Sequence, residues 1–144
     1  MLTNEAIVRA ALEADVKVTA FYPPGSPPQT EILDTFDRVS HHRDDIAVEI
    51  AANEKVALET VAGAAFVGLR GGFTSMKSVG GNVASDTLYS LAYTGVRGGL
   101  VVVIADDPPY AHSSQSEQDG RWFGYTAYLP MLEPSNPPRK PTRW

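Results

Sequence analysis

The chain has 144 residues, of which 43% are hydrophobic and 20% charged, with a net charge of −5 and no cysteine. This composition is typical of one globular domain and argues against disorder and against a nucleic-acid-binding protein. The lack of cysteine excludes disulfides, iron–sulfur ligation and a cysteine nucleophile for this chain. Because the sequence has neither a signal peptide profile nor a membrane-spanning apolar run, we expect a soluble, cytoplasmic domain without membrane contact.

Hydrophobic periodicity predicts helices and strands in alternation along the chain. This alternation predicts an α/β fold, doubly wound, with a mainly parallel sheet and helices on both faces. Residues 1–136 form the predicted domain, and the Pro-rich, basic residues 137–144 an irregular tail or a truncation point. The predicted helices are 4–14, 30–39, 52–68, 82–93 and 115–128, and the predicted strands are 16–22, 46–50, 71–75, 100–105 and 131–132.

Two of these elements have unusual compositions. The helix over 52–68 consists of Ala, Val, Leu and Gly on nearly every side, which predicts burial on several faces or close packing against another helix. The six apolar residues 100–105 are typical of a strand inside a parallel sheet.

Polar segments follow each of the first four strands. Because ligands of open parallel sheets bind beyond the carboxyl ends of the strands, these segments define a candidate binding edge. Glu54 follows the second strand and opens a helix of small apolar residues. It is either a first-turn carboxylate favoured by the helix dipole or a carboxyl group that shares a proton with a bound ring nitrogen. The four segments are 23–28, 51–54, 75–82 and 106–115.

Other motifs at this edge favour ordinary structural roles. The pairs Gly71-Gly72 and Gly80-Gly81 do not have the spacing of a P-loop or of a dinucleotide-binding loop. Lys77 is predicted to be a solvated lysine in a loop, although it could meet an anion. Asp106-Asp107 is predicted to form a solvated turn in preference to a divalent-cation site.

The remaining polar and aromatic groups carry no clear chemistry. His112-Ser113-Ser114 invites a hydrolase interpretation but lacks the GxSxG elbow. His41-His42 is expected on the solvated surface. An aromatic group is predicted to serve core and interface, because the acidic net charge disfavours nucleic-acid stacking. This group comprises Trp122, Phe123, Tyr125 and Tyr128.

Several strings together carry a family resemblance. They are NEKVALE at 53–59, MKSVGGNVASD at 76–86, AYTGVRGGL at 92–100, ADDP at 105–108, HSSQ at 112–115 and EQD at 117–119. Because these strings occur in the family's order, the chain resembles the thiamine-pyrophosphate pyrimidine-binding domain of indolepyruvate:ferredoxin oxidoreductase alpha subunits. The resemblance covers about residues 3–136.

The resemblance implies roles for particular residues. It implies that Glu54 hydrogen-bonds the pyrimidine ring nitrogen of thiamine pyrophosphate and favours the imino tautomer that generates the ylid, which is general acid–base chemistry. It also implies cofactor contacts from Pro23, Gly25 and Asn82, and a hydroxyl from Ser26 that binds the carboxylate of a 2-oxo acid.

The resemblance further implies partners, because a second domain of the family binds Mg²⁺ and the diphosphate. No metal-binding residues are assigned to this chain, and iron–sulfur clusters that pass electrons to ferredoxin are expected only in partner domains. The implied reaction is oxidative decarboxylation of an aryl 2-oxo acid to an acyl-CoA by an oligomer, with the isolated chain inactive. Two alternatives stay open: the small subunit of a two-chain thiamine-dependent decarboxylase, and a non-catalytic Rossmann-like assembly module.

Overall fold

The computed structural model describes residues 3–22, 29–106 and 119–134. Helices and strands alternate as predicted, and most boundaries agree with the sequence analysis within a few residues. In chain order the elements are α1 (Thr3–Glu13), β1 (Val18–Phe21), α2 (Gln29–Ser40), β2 (Ala47–Ile50), α3 (Glu54–Phe66), β3 (Gly72–Lys77), α4 (Ser78–Thr94), β4 (Leu100–Ala105) and α5 (Arg121–Ala127).

The four strands form one parallel sheet in the order β2-β1-β3-β4. The predicted parallel α/β fold is therefore confirmed. β3 pairs with β4 from Gly72 opposite Leu100 to Lys77 opposite Ala105, so these two strands end together. The carboxyl ends of all strands lie at one edge, where α3 and α4 begin.

Helices cover both faces of the sheet, since side chains of a strand alternate between faces. On one face α1 and α2 pack over three tilted rings, Phe21, Phe36 and Phe73, whose centroids lie 5.2–6.2 Å apart. On the other face α3 and α4 pack together over Ala20 and Met76. The small side chains of α3 allow this close packing, and its buried residues are Ala57, Leu58, Val61, Ala62, Ala64 and Ala65.

Three local predictions are wrong. Residues 75–82 form no loop, because β3 continues to Lys77 and α4 begins at the next residue. The apolar strand β4 lies at an edge of the described sheet and not inside it. Met131 and Leu132 form no strand: Met131 packs against Gly124, and Leu132 is exposed.

The aromatic group divides between core and surface. Phe123 is buried in the core, whereas Trp122, Tyr125 and Tyr128 are exposed and belong to the surface of this chain, where the expected interface role stays a prediction. His41 and His42 are on the surface, as expected. Within 3–22, 29–106 and 119–134, no helix is long and apolar enough to cross a membrane.

Candidate functional site

Glu54 is the first residue of α3 and lies just beyond the carboxyl end of β2. The connection is fixed at both ends. Ala51 donates its backbone N–H to the carbonyl of Phe21 at 2.8 Å, and Asn53 caps the helix by accepting the N–H of Val56 at 2.9 Å. These bonds hold the backbone of Glu54 in a defined position at the binding edge.

The Glu54 side chain is half-buried and lies against the first turn of α4. A Cβ atom on Gly80 would stand only 2.6 Å from Glu54 Cγ and 2.8 Å from its Oε1. Among the described residues, no hydrogen bond or ion pair engages the Glu54 carboxylate. The carboxylate is therefore available to a ligand at this edge.

Polar contacts fix the spacing between α3 and α4. Lys55 Nζ lies 2.8 Å from a carboxylate oxygen of Asp86, and this hydrogen bond raises the pKa of the lysine. The Thr87 hydroxyl donates to Glu59 at 3.2 Å. The Lys55–Asp86 contact is exposed and the Thr87–Glu59 contact is partly buried, while Glu54 faces the start of α4.

Asp106 joins two helix starts at the same edge. It follows β4 and accepts hydrogen bonds from the hydroxyl of Ser78, the first residue of α4, and from the backbone N–H of Gly120 at 2.7 Å. Asp106 is exposed, as expected for a solvated turn, and its carboxylate also has a structural role at the two helix starts. In the described ranges no cluster of three or more His, Cys, Asp or Glu side chains is arranged to hold a metal ion.

Lys77 is a buried residue that the sequence analysis placed in solvent. It is the last residue of β3 and only 4% exposed. The error arose because the predicted strand stopped at Ser75, which left Lys77 in a loop. An uninterrupted run from β3 into α4 carries the lysine into the interior at the binding edge.

Gln29 is a second buried polar residue at this edge. It opens α2 at the carboxyl end of β1 and is 3% exposed. Neither polar atom of its side-chain amide has a hydrogen-bond partner within the described part of the chain. Buried polar groups are normally hydrogen-bonded, so this amide has unused hydrogen-bonding capacity at the edge.

The remaining predicted site residues have different outcomes. Asn82 lies in the second turn of α4 and is exposed, on a helix and not in the predicted loop. Pro23, Gly25 and Ser26 lie outside the described residues, as does the segment 107–118 with His112. The structure thus brings Glu54 beside Gly80, with Lys77 and Asp106 at the same edge.

A separate apolar cavity of about 380 Å³ lies between α4, β4 and α5. Leu88, Val102, Phe123 and Met131 are among its lining residues, and none of the lining side chains is titratable. The cavity therefore offers no acid–base chemistry, and Glu54 remains the chemically informative group.

The chain shares its fold with part of a solved enzyme. It superposes on a solved 2-oxoglutarate:ferredoxin oxidoreductase from Magnetococcus marinus, determined with 2-oxoglutarate, coenzyme A and succinyl-CoA bound, with a TM-score of 0.67. The match covers 77% of this chain and 18% of that chain at 18% identity, so it shows a shared fold. No protein-family model matches the sequence.

Sequence similarity then identifies particular relatives. The chain is 50% identical over 139 residues to the indolepyruvate oxidoreductase subunit IorA of Archaeoglobus fulgidus, and 52% over 137 residues to that of Methanothermobacter marburgensis. The Pyrococcus abyssi subunit is 49% identical over 136 residues. These matches cover 94–95% of this chain but only 20–22% of the relatives. The resemblance to indolepyruvate oxidoreductase subunits is confirmed, and the chain spans about a fifth of their length.

Proposed function

We propose that residues 1–136 form the pyrimidine-binding half of a thiamine-pyrophosphate site in a 2-oxo-acid:ferredoxin oxidoreductase of the indolepyruvate type. The observation that carries the proposal is the half-buried carboxylate of Glu54 at the carboxyl edge of the sheet, which no hydrogen bond or ion pair engages among the described residues. Two relatives support the oxidation of a 2-oxo acid as the reaction. Both are named as indolepyruvate oxidoreductase subunits, and about half of their aligned residues are identical to this chain.

The residues present fit the pyrimidine end of the cofactor. A carboxyl group beside a ring nitrogen can hold a proton between them, and the capped start of α3 orients Glu54 for this contact. The closeness of α4 shields one side of the carboxylate from water. Bound thiamine pyrophosphate supplies the carbanion chemistry that decarboxylates a 2-oxo acid, while the protein supplies orientation and proton placement.

Other predicted contacts remain part of the proposal. We assign Pro23, Gly25 and Asn82 to the cofactor and Ser26 to the carboxylate of the 2-oxo acid. Mg²⁺ and the diphosphate belong to a partner domain or subunit of the same enzyme. Iron–sulfur clusters in partner domains carry electrons to ferredoxin, and acyl-CoA is the product. The enzyme is an oligomer in the cytoplasm, and this chain alone is inactive.

Calorimetric titration with thiamine pyrophosphate and Mg²⁺ tests the proposal. One sample is the chain alone, and the other is a chimaera in which this chain replaces the aligned segment of the Archaeoglobus fulgidus subunit. We expect binding by the chimaera, no measurable binding by the chain alone, and weaker binding by a Glu54→Gln chimaera. A folded chimaera that does not bind thiamine pyrophosphate would contradict the proposal and favour the assembly-module alternative.

Product analysis separates the two catalytic alternatives. With a 2-oxo acid, coenzyme A and an electron acceptor, the assembled enzyme should form acyl-CoA and reduce the acceptor. An aldehyde formed without coenzyme A or electron transfer would favour the decarboxylase.

A further inference from the structure

We propose that Gly80 is a positioning residue for Glu54: its lack of a side chain leaves the space in which the carboxylate lies. This inference rests on the proposed function, in which that carboxylate meets the pyrimidine ring. Gly80 is in the first turn of α4, where the sequence suggested only that the Gly80-Gly81 pair does not bind phosphate.

Close contact with three atoms of one side chain supports this role. A Cβ on Gly80 would lie 2.6 Å from Cγ, 2.9 Å from Cδ and 2.8 Å from Oε1 of Glu54. Because Cγ itself is too close, the whole side chain beyond Cβ would have to rotate about χ1. The carboxylate would then point to a different place, whereas the backbone of both helices could stay.

Other glycines show why this contact is unusual. A Cβ on Gly72 would lie 2.5 Å from the backbone oxygen of Val61, which cannot move without shifting α3. Gly81 faces the ring of Phe123, a buried core residue. At Gly80 the obstacle is a half-buried polar side chain at the binding edge. Substitution there should therefore displace Glu54 more than it destabilises the fold.

A cycle of substitutions tests the contact by thermal unfolding of the 144-residue chain. Gly80→Ala is made in two backgrounds, the wild-type chain and a Glu54→Ala chain. Glu54→Ala removes Cγ, Cδ and Oε1, the three atoms that a Cβ on Gly80 would crowd. Gly63→Ala in α3 is the matched control, because nothing lies within 4 Å of its Cβ position. Alanine favours a helix over glycine, so Gly63→Ala should raise Tm. When residue 54 is alanine, Gly80→Ala should raise Tm by as much as Gly63→Ala does. When residue 54 is glutamate, Gly80→Ala should raise Tm by less.

The functional effect is measured by cofactor binding to the chimaera rather than by activity. A carboxyl group that donates a hydrogen bond to a ring nitrogen must carry a proton, so binding should be linked to proton uptake. Calorimetry in two buffers of different ionisation enthalpy measures this uptake. We expect Gly80→Ala to lower the uptake and to weaken binding roughly 3- to 10-fold, as expected when a hydrogen bond between neutral groups is lost. Gly63→Ala should change neither.

The outcomes separate this inference from the proposed function. If Gly80→Ala keeps wild-type affinity and proton uptake while Glu54→Gln loses both, the role of Gly80 is overturned and the proposed function stands. No effect of Glu54→Gln would contradict the proposed function itself. If Gly80→Ala unfolds the chain in both residue-54 backgrounds, Gly80 is needed for the fold and the positioning role is also overturned.

Discussion

The two ends of the parallel sheet both depend on glycine, but the glycines face different atoms. At the amino end, a Cβ on Gly71 would lie 2.6 Å from the backbone Cα of Val16. At the carboxyl end, a Cβ on Gly80 would meet the side chain of Glu54 instead. One glycine lets two backbone segments approach, and the other leaves room for a movable carboxylate.

The carboxylates at the two ends of the sheet differ in the partners that they bind. At the amino end the Asp45 carboxylate lies 2.8 Å from Lys17 Nζ and 2.7 Å from Arg43 Nη2, all on the surface. At the carboxyl end Asp106 binds the starts of two helices, and Glu54 has no such partner among the described residues. The carboxyl end thus combines one carboxylate that holds helix starts with another that the described residues leave unengaged, as expected where ligands of open parallel sheets bind.

The largest effect is expected for Glu54→Gln in the assembled enzyme. Loss of a positioned acid–base group typically reduces turnover by about 10²–10⁴-fold. Electron-acceptor reduction driven by a 2-oxo acid measures the loss. The matched control is Glu59→Gln on the same helix, which should stay near wild type because Glu59 is exposed and away from the start of α3. Equal activity of both variants would contradict the catalytic role of Glu54 at the carboxyl end.

At the amino end Gly71→Ala should destabilise the fold by about 2–4 kcal/mol. Its φ of +73° lies in the left-handed region, and the added Cβ would meet backbone that cannot rotate away. Gly99→Ala is the control, because its nearest contact is an ordinary 3.6 Å. Urea denaturation of the two variants measures the difference. A similar free energy of unfolding for both would show that Gly71 is not required there.

Asp106→Ala tests the structural carboxylate at the carboxyl end. The change leaves Ser78 and the N–H of Gly120 without their acceptor, and we expect a loss of about 1–2 kcal/mol. Asp44→Ala, at an exposed residue, should be nearly neutral. Chemical denaturation checks both values, and an unchanged stability of Asp106→Ala would show that its two hydrogen bonds contribute nothing to the fold.

The smallest effect is expected for Asp45→Asn. The hydrogen bonds from Arg43 and Lys17 hold the pKa of Asp45 below its ordinary value of 3.8. The ionised carboxylate therefore contributes stability above that value, and the contribution is lost as the pH falls below it. Thermal unfolding should show a slightly lower Tm for the variant near neutral pH, and no difference in strong acid. High salt should also reduce the difference, since the pairs are exposed.

Much of the fold could be predicted because hydrophobic periodicity reports which faces are buried. The alternation of α and β elements determined the parallel sheet, and the apolar residues of α3 indicated its close packing. The predicted loop at 75–82 failed because glycine and serine suggest turns locally. In the structure Ser78 begins a helix, and Gly80 and Gly81 lie where neighbouring groups leave no room for a side chain.

The sequence by itself determined the class of fold, the first-turn position of Glu54 and the motifs that resemble indolepyruvate oxidoreductase subunits. These features depend on local pattern, so neighbouring residues suffice to predict them. Only the tertiary structure decided that Lys77 is buried, that Asp106 joins Ser78 to Gly120, and that Glu54 lies against Gly80. Each of these contacts joins residues from different elements, and their distance depends on how the helices pack on the sheet.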